Sequence, residues 1–157
     1  MKVGNNRVLA LCVALLCLLC VLSVAQPLRF RHQCLERESV VKTRLQAIRK
    51  AQMAYLRTHG SYAQSLQMLV DEKLIADSMQ YIPWSGGRRF MVATAIGKSG
   101  KRTVPLVECS ALAKDYLRGL DARKVSAYIQ ESMGSGAFPG LKFGDITTPN
   151  NNAGNWE

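Results

Sequence analysis

An uninterrupted apolar segment at residues 8–25 constrains this chain more than any other feature of its sequence. The segment reads VLALCVALLCLLCVLSVA, contains no charged residue, and has Ser23 as its only hydroxyl. A helix that crosses the hydrocarbon core of a membrane needs about 20 apolar residues, with about 17 as the lower limit. The segment reaches this range, so we favour a single uncleaved transmembrane anchor.

A secretory signal peptide is the alternative for the same residues. Such signals combine a basic start with a shorter apolar stretch and small residues before the cleavage site. Lys2 and Arg7 supply the basic start, and residues 23–25 (Ser-Val-Ala) fit a cleavage site. Both interpretations bring the N-terminus of the chain to a membrane.

The orientation of the apolar segment in the membrane is indicated differently by its flanking charges and by the signal-like start of the chain. The positive-inside rule, applied to the basic residues that follow the segment, favours a cytoplasmic C-terminal part. Long domains, however, translocate largely regardless of charge, and the start of the chain resembles an export signal. We therefore predict a single-pass protein of the bacterial inner membrane with a periplasmic C-terminal domain.

The rest of the chain is long enough for one modest core. The sequence has 157 residues and a formal net charge of +10, which excludes a large multidomain enzyme and a polytopic membrane protein. We expect an α+β fold in four segments. They are a basic N-terminal segment (1–7), the anchor or signal (8–25), a juxtamembrane helix (26–60) and an α+β head domain (61–157).

Periodicity predicts a long helix over residues 35–59. Val41, Leu45, Ile48 and Tyr55 follow the spacing of one helical stripe, which also includes position 52. Gly60 stands where a helix commonly ends. We expect the four apolar residues to pack this helix against the head domain.

The same helix is strongly basic. Eight Lys or Arg and only two Glu lie between Arg29 and Arg57. A solvated helix face is the simpler interpretation. The alternative is contact with anionic lipid headgroups or an acidic partner, because each basic residue near an anionic membrane contributes about 1 kcal/mol. Arg44, Arg49 and Arg57 are then the candidate contact residues.

Within the head domain the sequence predicts a short helix, a β-hairpin, a further helix and a short C-terminal strand. Residues 61–75 predict a turn followed by the short, Leu-rich helix. The hairpin joins strands at 89–96 and 101–109 through a turn at 97–100, and Pro105 indicates that its return strand is an edge strand or has a bulge. Residues 111–133 predict a helix with a break near Gly119, and residues 141–146 a strand.

The five cysteines fall into two groups. Three lie in the apolar segment, where Cys behaves as a small hydrophobic residue. Cys34 and Cys109 remain, and in an oxidising compartment these two are candidates for a disulfide. Two unrelated thiols are the alternative.

Side chains that would indicate catalysis or a bound cofactor are scarce. The two histidines, His32 and His59, match no metal-ligand spacing, and the chain has no phosphate-binding glycine loop or nucleophile elbow. We therefore expect no enzymatic activity, no metal, no cofactor and no binding of nucleic acid.

Residues 44–75, RLQAIRKAQMAYLRTHGSYAQSLQMLVDEKLI, resemble the corresponding stretch of type IV pilins and type II secretion pseudopilins. In those proteins the long helix ends in an aromatic residue, Gly-x-Tyr follows, and a Leu-rich short helix comes next. Tyr55, Gly60, Tyr62, Leu66 and Leu69 occupy these positions here. The Gly-Asn-Trp near residue 156 also resembles the end of major pseudopilins.

The resemblance implies an inner-membrane anchor, an exported α+β head and packing of helices into a fibre. It does not include the prepilin cleavage motif, because residues 3–7 (Val-Gly-Asn-Asn-Arg) lack the Phe and Glu of that motif. The whole layout is also similar to that of uncharacterised single-span bacterial envelope proteins. We therefore expect a non-enzymatic envelope protein in structural assembly or secretion-related scaffolding. We expect it to bind protein partners or to self-assemble through the long helix. A tethered module that binds a peptide or lipid beside the membrane is the alternative.

Overall fold

The computed structural model describes residues 3–99 and 102–157. Its elements are α1 (Val3–His59), α2 (Leu66–Asp71), a 3-10 turn (Asp77–Gln80), β1 (Met91–Ser99), β2 (Arg102–Leu112), α3 (Ala113–Tyr116), α4 (Ala122–Gly134) and β3 (Gly140–Gly144). The fold thus mixes helix and strand as predicted, with a long N-terminal helix, smaller helices and a three-stranded antiparallel sheet. Part of the predicted N-terminal segment (1–2) and part of the predicted hairpin (100–101) lie outside the described residues.

The chain divides into two compact units, Met1–Leu35 and Glu36–Glu157, which we call the N-terminal unit and the C-terminal unit. The four segments expected from the sequence have other boundaries, and these boundaries stay predictions.

The N-terminal unit consists of the first part of α1. Its leucines and valines between positions 8 and 22 are 50–71% exposed. The Ser23 hydroxyl donates a hydrogen bond to the Cys20 carbonyl oxygen at 2.8 Å, which satisfies a polar group that a membrane would leave without water. Among the described residues, α1 is the one helix long and apolar enough to cross a membrane, and a signal sequence near an N-terminus meets the same criterion.

In the C-terminal unit the sheet has the order β1-β2-β3, and both pairings are antiparallel. Alternate residues of a strand point to opposite faces, and β2 and β3 contribute a row of buried side chains to one face of this sheet. Its buried side chains on β2 and β3 are Val107, Cys109, Ala111, Leu141 and Phe143. These residues form the core together with the buried stripe of α1.

The position of β2 in the sheet differs from the expectation for Pro105. A strand that contains proline is normally an edge strand, yet β2 lies in the middle of the sheet. The register explains how proline is accommodated. Pro105 pairs with Ile96 of β1, whereas β3 pairs only with residues 108–112. At Pro105 the strand therefore has a neighbour on one side alone.

The helix boundaries follow local capping chemistry. The Gly60 amide donates to the Leu56 carbonyl oxygen at 2.8 Å, and a φ of +70° ends α1 there, as glycine commonly does. The break predicted near Gly119 separates α3 from α4, and β2 takes up residues 111–112, which were expected to be helical. The Asp121 carboxylate accepts from two backbone amides and caps α4.

Candidate functional site

The C-terminal part of α1 has one buried stripe. Val41, Leu45 and Ile48 are completely buried, and Tyr55 is 7% exposed. Gln52 lies on the same stripe and is also fully buried. Its side-chain amide donates to the Ala63 carbonyl oxygen at 3.0 Å and accepts from the Ala63 amide at 2.9 Å. This pair of bonds satisfies the buried polar group and holds the chain where it reverses after α1.

The opposite side of this part of α1 is exposed and mostly polar. Thr43, Gln46, Lys50, Met53 and Arg57 follow one another at spacings of three and four residues and are all exposed. They form a continuous strip on the helix surface, which we call the outer strip. Because the outer strip has a net positive charge and little apolar area, a partner that packs on it must offer polar or acidic groups.

Of the three arginines that the sequence marks for partner contact, Arg44 bonds within the C-terminal unit. Its guanidinium donates to the carbonyl oxygen of Ser78 at 3.0 Å and to that of Tyr81 at 2.6 Å. The side chain therefore holds the loop before β1 against α1. Arg57, in contrast, is exposed on the outer strip.

Arg49 also bonds within the C-terminal unit. It donates to the Asn152 carbonyl oxygen at 3.1 Å and forms an ion pair with the Glu157 carboxylate at 2.7 Å. The Gly154 backbone amide also donates a hydrogen bond to this carboxylate. These bonds lower the pKa of Glu157 below its ordinary value, and the hydrogen bond from Arg49 is the main cause. Arg49 thus holds the C-terminal segment.

Arg37 lies beside an exposed tryptophan that the sequence analysis did not single out. Its guanidinium donates to the Tyr116 and Arg118 carbonyl oxygens at 3.1 and 2.7 Å, and its central carbon lies 4.9 Å from the centre of the Trp84 ring. Trp84 is 46% exposed and has a φ of +59°. The Ser85 hydroxyl, which donates to Ile82 and accepts from Arg88, stabilises this turn.

The two cysteines considered for a disulfide are both buried in the structure. Cys34 is 4% exposed and Cys109 is completely buried. Burial raises the pKa of the Cys109 thiol far above its ordinary value, and the neighbouring Glu108 carboxylate adds to the effect. This thiol is therefore protonated at neutral pH and is a poor nucleophile. The disulfide stays a prediction.

The outer edge of β3 is covered by the C-terminal segment of the chain. The Gly144 amide donates to the Ala153 carbonyl oxygen, and the Asn155 amide donates to the Lys142 carbonyl oxygen, each at 2.9 Å. A β-bridge joins the same two stretches. We call residues 153–155 the covering segment, because they pair with β3 as a short additional strand.

The Asn155 side chain reinforces this pairing. Its amide oxygen accepts from the Lys142 backbone amide at 3.1 Å, and its amide nitrogen donates to the Gly140 carbonyl oxygen at 2.9 Å. The Asn152 side chain adds a bond to the Tyr62 hydroxyl at 2.7 Å. The side chains and the backbone together satisfy most of the polar groups along the outer edge of β3.

The outer edge of β1, unlike that of β3, is not covered by another described segment of the chain. Its backbone is paired with β2 along all nine residues of the strand, and no other described segment forms a bridge or a backbone hydrogen bond with β1. Ile96 is 80% and Met91 51% exposed. We call this side of the strand the open edge.

Comparisons with known protein families, curated proteins and solved structures give no match for this chain. Within residues 3–99 and 102–157, no group of three or more His, Cys, Asp or Glu side chains is arranged to hold a metal ion. The internal bonds of Arg44 and Arg49, the outer strip and the open edge are thus the features on which a functional interpretation rests.

Proposed function

We propose that this protein is a single-span bacterial envelope component of the inner membrane. Its C-terminal unit would be a pilin-like α+β body in the periplasm that acts in structural assembly or secretion-related scaffolding, without catalysis. The observation that supports the proposal best is the composition of α1. One helix contains both an exposed, strongly apolar stretch and, further along, a stripe that is part of the core of the C-terminal unit.

Two further observations fit a role in assembly. The outer strip extends along the exposed side of α1 over several turns, which offers a lateral surface to another helix. Arg44 and Arg49, beside the buried stripe, bond to loops and to the C-terminal segment, so the C-terminal part of α1 is fixed within the C-terminal unit. A firmly fixed helix presents a defined surface to a partner.

The first experiment tests the anchor and its orientation. Alkaline phosphatase and green fluorescent protein are fused in turn to the C-terminus through a flexible linker, and membranes are washed with alkaline carbonate. We expect phosphatase activity without fluorescence, and a full-length product that stays in the membrane fraction. Cytoplasmic fluorescence would contradict the orientation, and an unprocessed product in the soluble fraction would contradict the anchor.

The second experiment tests assembly through α1. A photo-crosslinking amino acid replaces Met53 on the outer strip or, as a matched control, Met133 on α4, which is 60% exposed. We expect discrete crosslinked products from position 53 and monomers from position 133. Monomers from both positions, or the same products from both, would contradict assembly through this helix.

A further inference from the structure

The sheet of the C-terminal unit has two outer edges, at β1 and β3, which differ in how their backbone polar groups are protected. An edge strand presents unpaired N–H and C=O groups, and proteins normally cover such an edge or protect it with charges, proline or a bulge. The covering segment protects β3. No described segment covers β1.

The sequence of β1 also lacks the usual protective residues over most of its length. Residues 91–97, MVATAIG, contain neither a charge nor a proline, and β1 pairs with β2 in continuous register without a bulge. Nine residues extend over about 30 Å at the rise of a strand. The open edge is therefore long and regular enough to take an additional strand.

Exposed cations mark both ends of this edge. Arg89 precedes the strand and is exposed, with its guanidinium 5.4 Å from the centre of the Tyr81 ring. Lys98 lies near the other end, and Arg102 follows across the hairpin. Because cations flank both ends, two copies paired edge to edge in either direction would bring like charges together, which is unfavourable. The net charge of +10 adds to this repulsion.

We infer that the open edge of β1 binds an extended acidic segment of a partner protein, which adds to the sheet as a fourth strand. Backbone hydrogen bonds supply part of the affinity in strand addition, and side chains on alternate positions supply specificity. Ile96 offers an apolar contact at the centre of one face of the added pair, and the flanking cations select a partner with Asp or Glu at its ends. The inference rests on the proposed role in assembly and specifies the chemistry of one partner.

The test uses the full chain in detergent micelles and fluorescein-labelled peptides. The probe peptide alternates Thr and Val between Glu pairs. One control peptide has the same side chains with backbone N-methylation, which removes the hydrogen bonds, and a second has Lys in place of Glu. Fluorescence anisotropy gives the affinity, and amide hydrogen exchange by mass spectrometry locates the bound peptide.

We expect the probe peptide to bind at least about tenfold more tightly than either control, because both the backbone bonds and the charge contribute. Exchange is expected to slow in β1 and to stay unchanged in β3. Raising the salt concentration is expected to weaken binding several-fold. Equal binding of the N-methylated peptide, protection of β3 instead of β1, or no binding of the probe would each overturn the inference.

Two protein variants with the same change of charge sharpen the test. Ile96→Asp places a carboxylate in the middle of the open edge and is expected to lower the affinity by about tenfold. Met133→Asp makes the same change at an exposed position of α4 and is expected to leave the affinity unchanged within about twofold. Equal effects of the two variants would contradict binding at β1.

Light scattering over a range of protein concentrations tests a second copy as the occupant. Monomers without peptide support the inference. A dimer with β1 protected from exchange would overturn it in favour of self-pairing. Failure at the open edge is distinguishable from failure of the proposed function, because the fusion and crosslinking experiments report on the anchor and on α1.

Discussion

Both outer edges of the sheet have backbone N–H and C=O groups that need partners, but only the edge at β3 receives them from the described chain. At β3 the covering segment supplies backbone partners, and Asn155 adds two side-chain bonds. At β1 the described chain supplies no such partner, although the strand is longer. The comparison indicates that covering β3 is part of folding, whereas the backbone groups of β1 remain available after folding is complete.

The difference is also visible in the side chains. Leu141 and Phe143 of β3 are 6% and 0% exposed, whereas Met91 and Ile96 of β1 are 51% and 80% exposed. Burial of a large apolar side chain contributes about 1.5–3 kcal/mol, so substitutions near β3 are expected to affect stability much more than substitutions at the open edge. Four predictions test this ordering, and each is measured on the full chain in detergent micelles.

The largest effect is expected for Gly144→Ala, at the end of β3. Gly144 has a φ of +74°, and an added Cβ atom would collide with the Val107 carbonyl oxygen. A non-glycine residue in this conformation alone costs about 1–2 kcal/mol, and the collision with the backbone adds to it. We expect urea unfolding, followed by tryptophan fluorescence, to show a loss of about 3 kcal/mol or more.

Gly134→Ala is the matched control for this variant. Gly134 lies in α4, and an added Cβ atom would meet no heavy atom within 4 Å. We expect the free energy of unfolding to stay the same or to rise by about 0.5–1 kcal/mol, because alanine is more favourable than glycine in a helix. Similar losses for both variants would contradict the assigned role of Gly144.

A smaller loss is expected for Asn155→Ala in the covering segment. The variant removes one hydrogen bond to the Lys142 amide and one from the side chain to Gly140. We expect a loss of about 1–2 kcal/mol and faster amide exchange in β3, with no change in β1. Asn155→Asp keeps the acceptor but turns a carboxylate oxygen toward the Gly140 carbonyl oxygen, so its loss is expected to be at least as large. Equal acceleration in both strands would contradict a local role for Asn155.

The contribution of Glu157 is expected to depend on pH. Its pKa in the folded protein is lower than its ordinary value of 4.5, so its stabilisation is complete above about pH 4.5 and disappears as the pH falls through the folded pKa. The difference in unfolding free energy between the wild type and Glu157→Gln is expected to be larger at pH 7 than at pH 3.

Asp145 provides the control for the pH experiment. Bonds from the side chain and amide of Thr147 and the amide of Thr148 lower the pKa of Asp145 to about 2. The difference between the wild type and Asp145→Ala is therefore expected to be retained in part at pH 3 and to disappear only as the pH falls through about 2. Parallel loss of both contributions at pH 3 would contradict the assignment of the first effect to the pair of Arg49 and Glu157.

The smallest effect on stability is expected at the open edge. Ile96 is 80% exposed, and substitutions at such positions usually change the free energy of unfolding by less than about 0.5 kcal/mol. Urea unfolding of Ile96→Asp is expected to match that of the wild type within this range. A loss of about 2 kcal/mol would show that the edge is covered in solution.

The sequence predicts local features of this fold well. The spacing of Val41, Leu45 and Ile48 identifies a stripe that the structure buries completely. Asp121 and Ser65 each stand directly before a helical pattern, as capping residues do, and they cap α4 and α2. These features depend on a few neighbouring residues, and helical periodicity and capping need no knowledge of the rest of the chain.

The non-local features were not predictable in this way. The carbonyl partners of Arg44 lie 34 and 37 positions further along the chain, so its role depends on where a distant loop lies. The pairing of Asn155 with β3 and the central position of β2 likewise depend on where distant parts of the chain lie. Sequence patterns mark Arg44 as a candidate for contact with a partner or lipid, and only the tertiary structure shows that it is bonded internally.

The bond between Arg49 and Glu157 is expected to form late in folding. It joins positions 108 residues apart, so closing this loop has a considerable entropic cost and follows the formation of local structure. Until this loop closes, β3 lacks its outer partner, so a form of the chain in which residues 153–155 are not yet docked would have both edges of the sheet unprotected. A newly synthesised chain in that form is more prone to aggregation than the folded protein. A chaperone in the compartment where the chain folds would protect it.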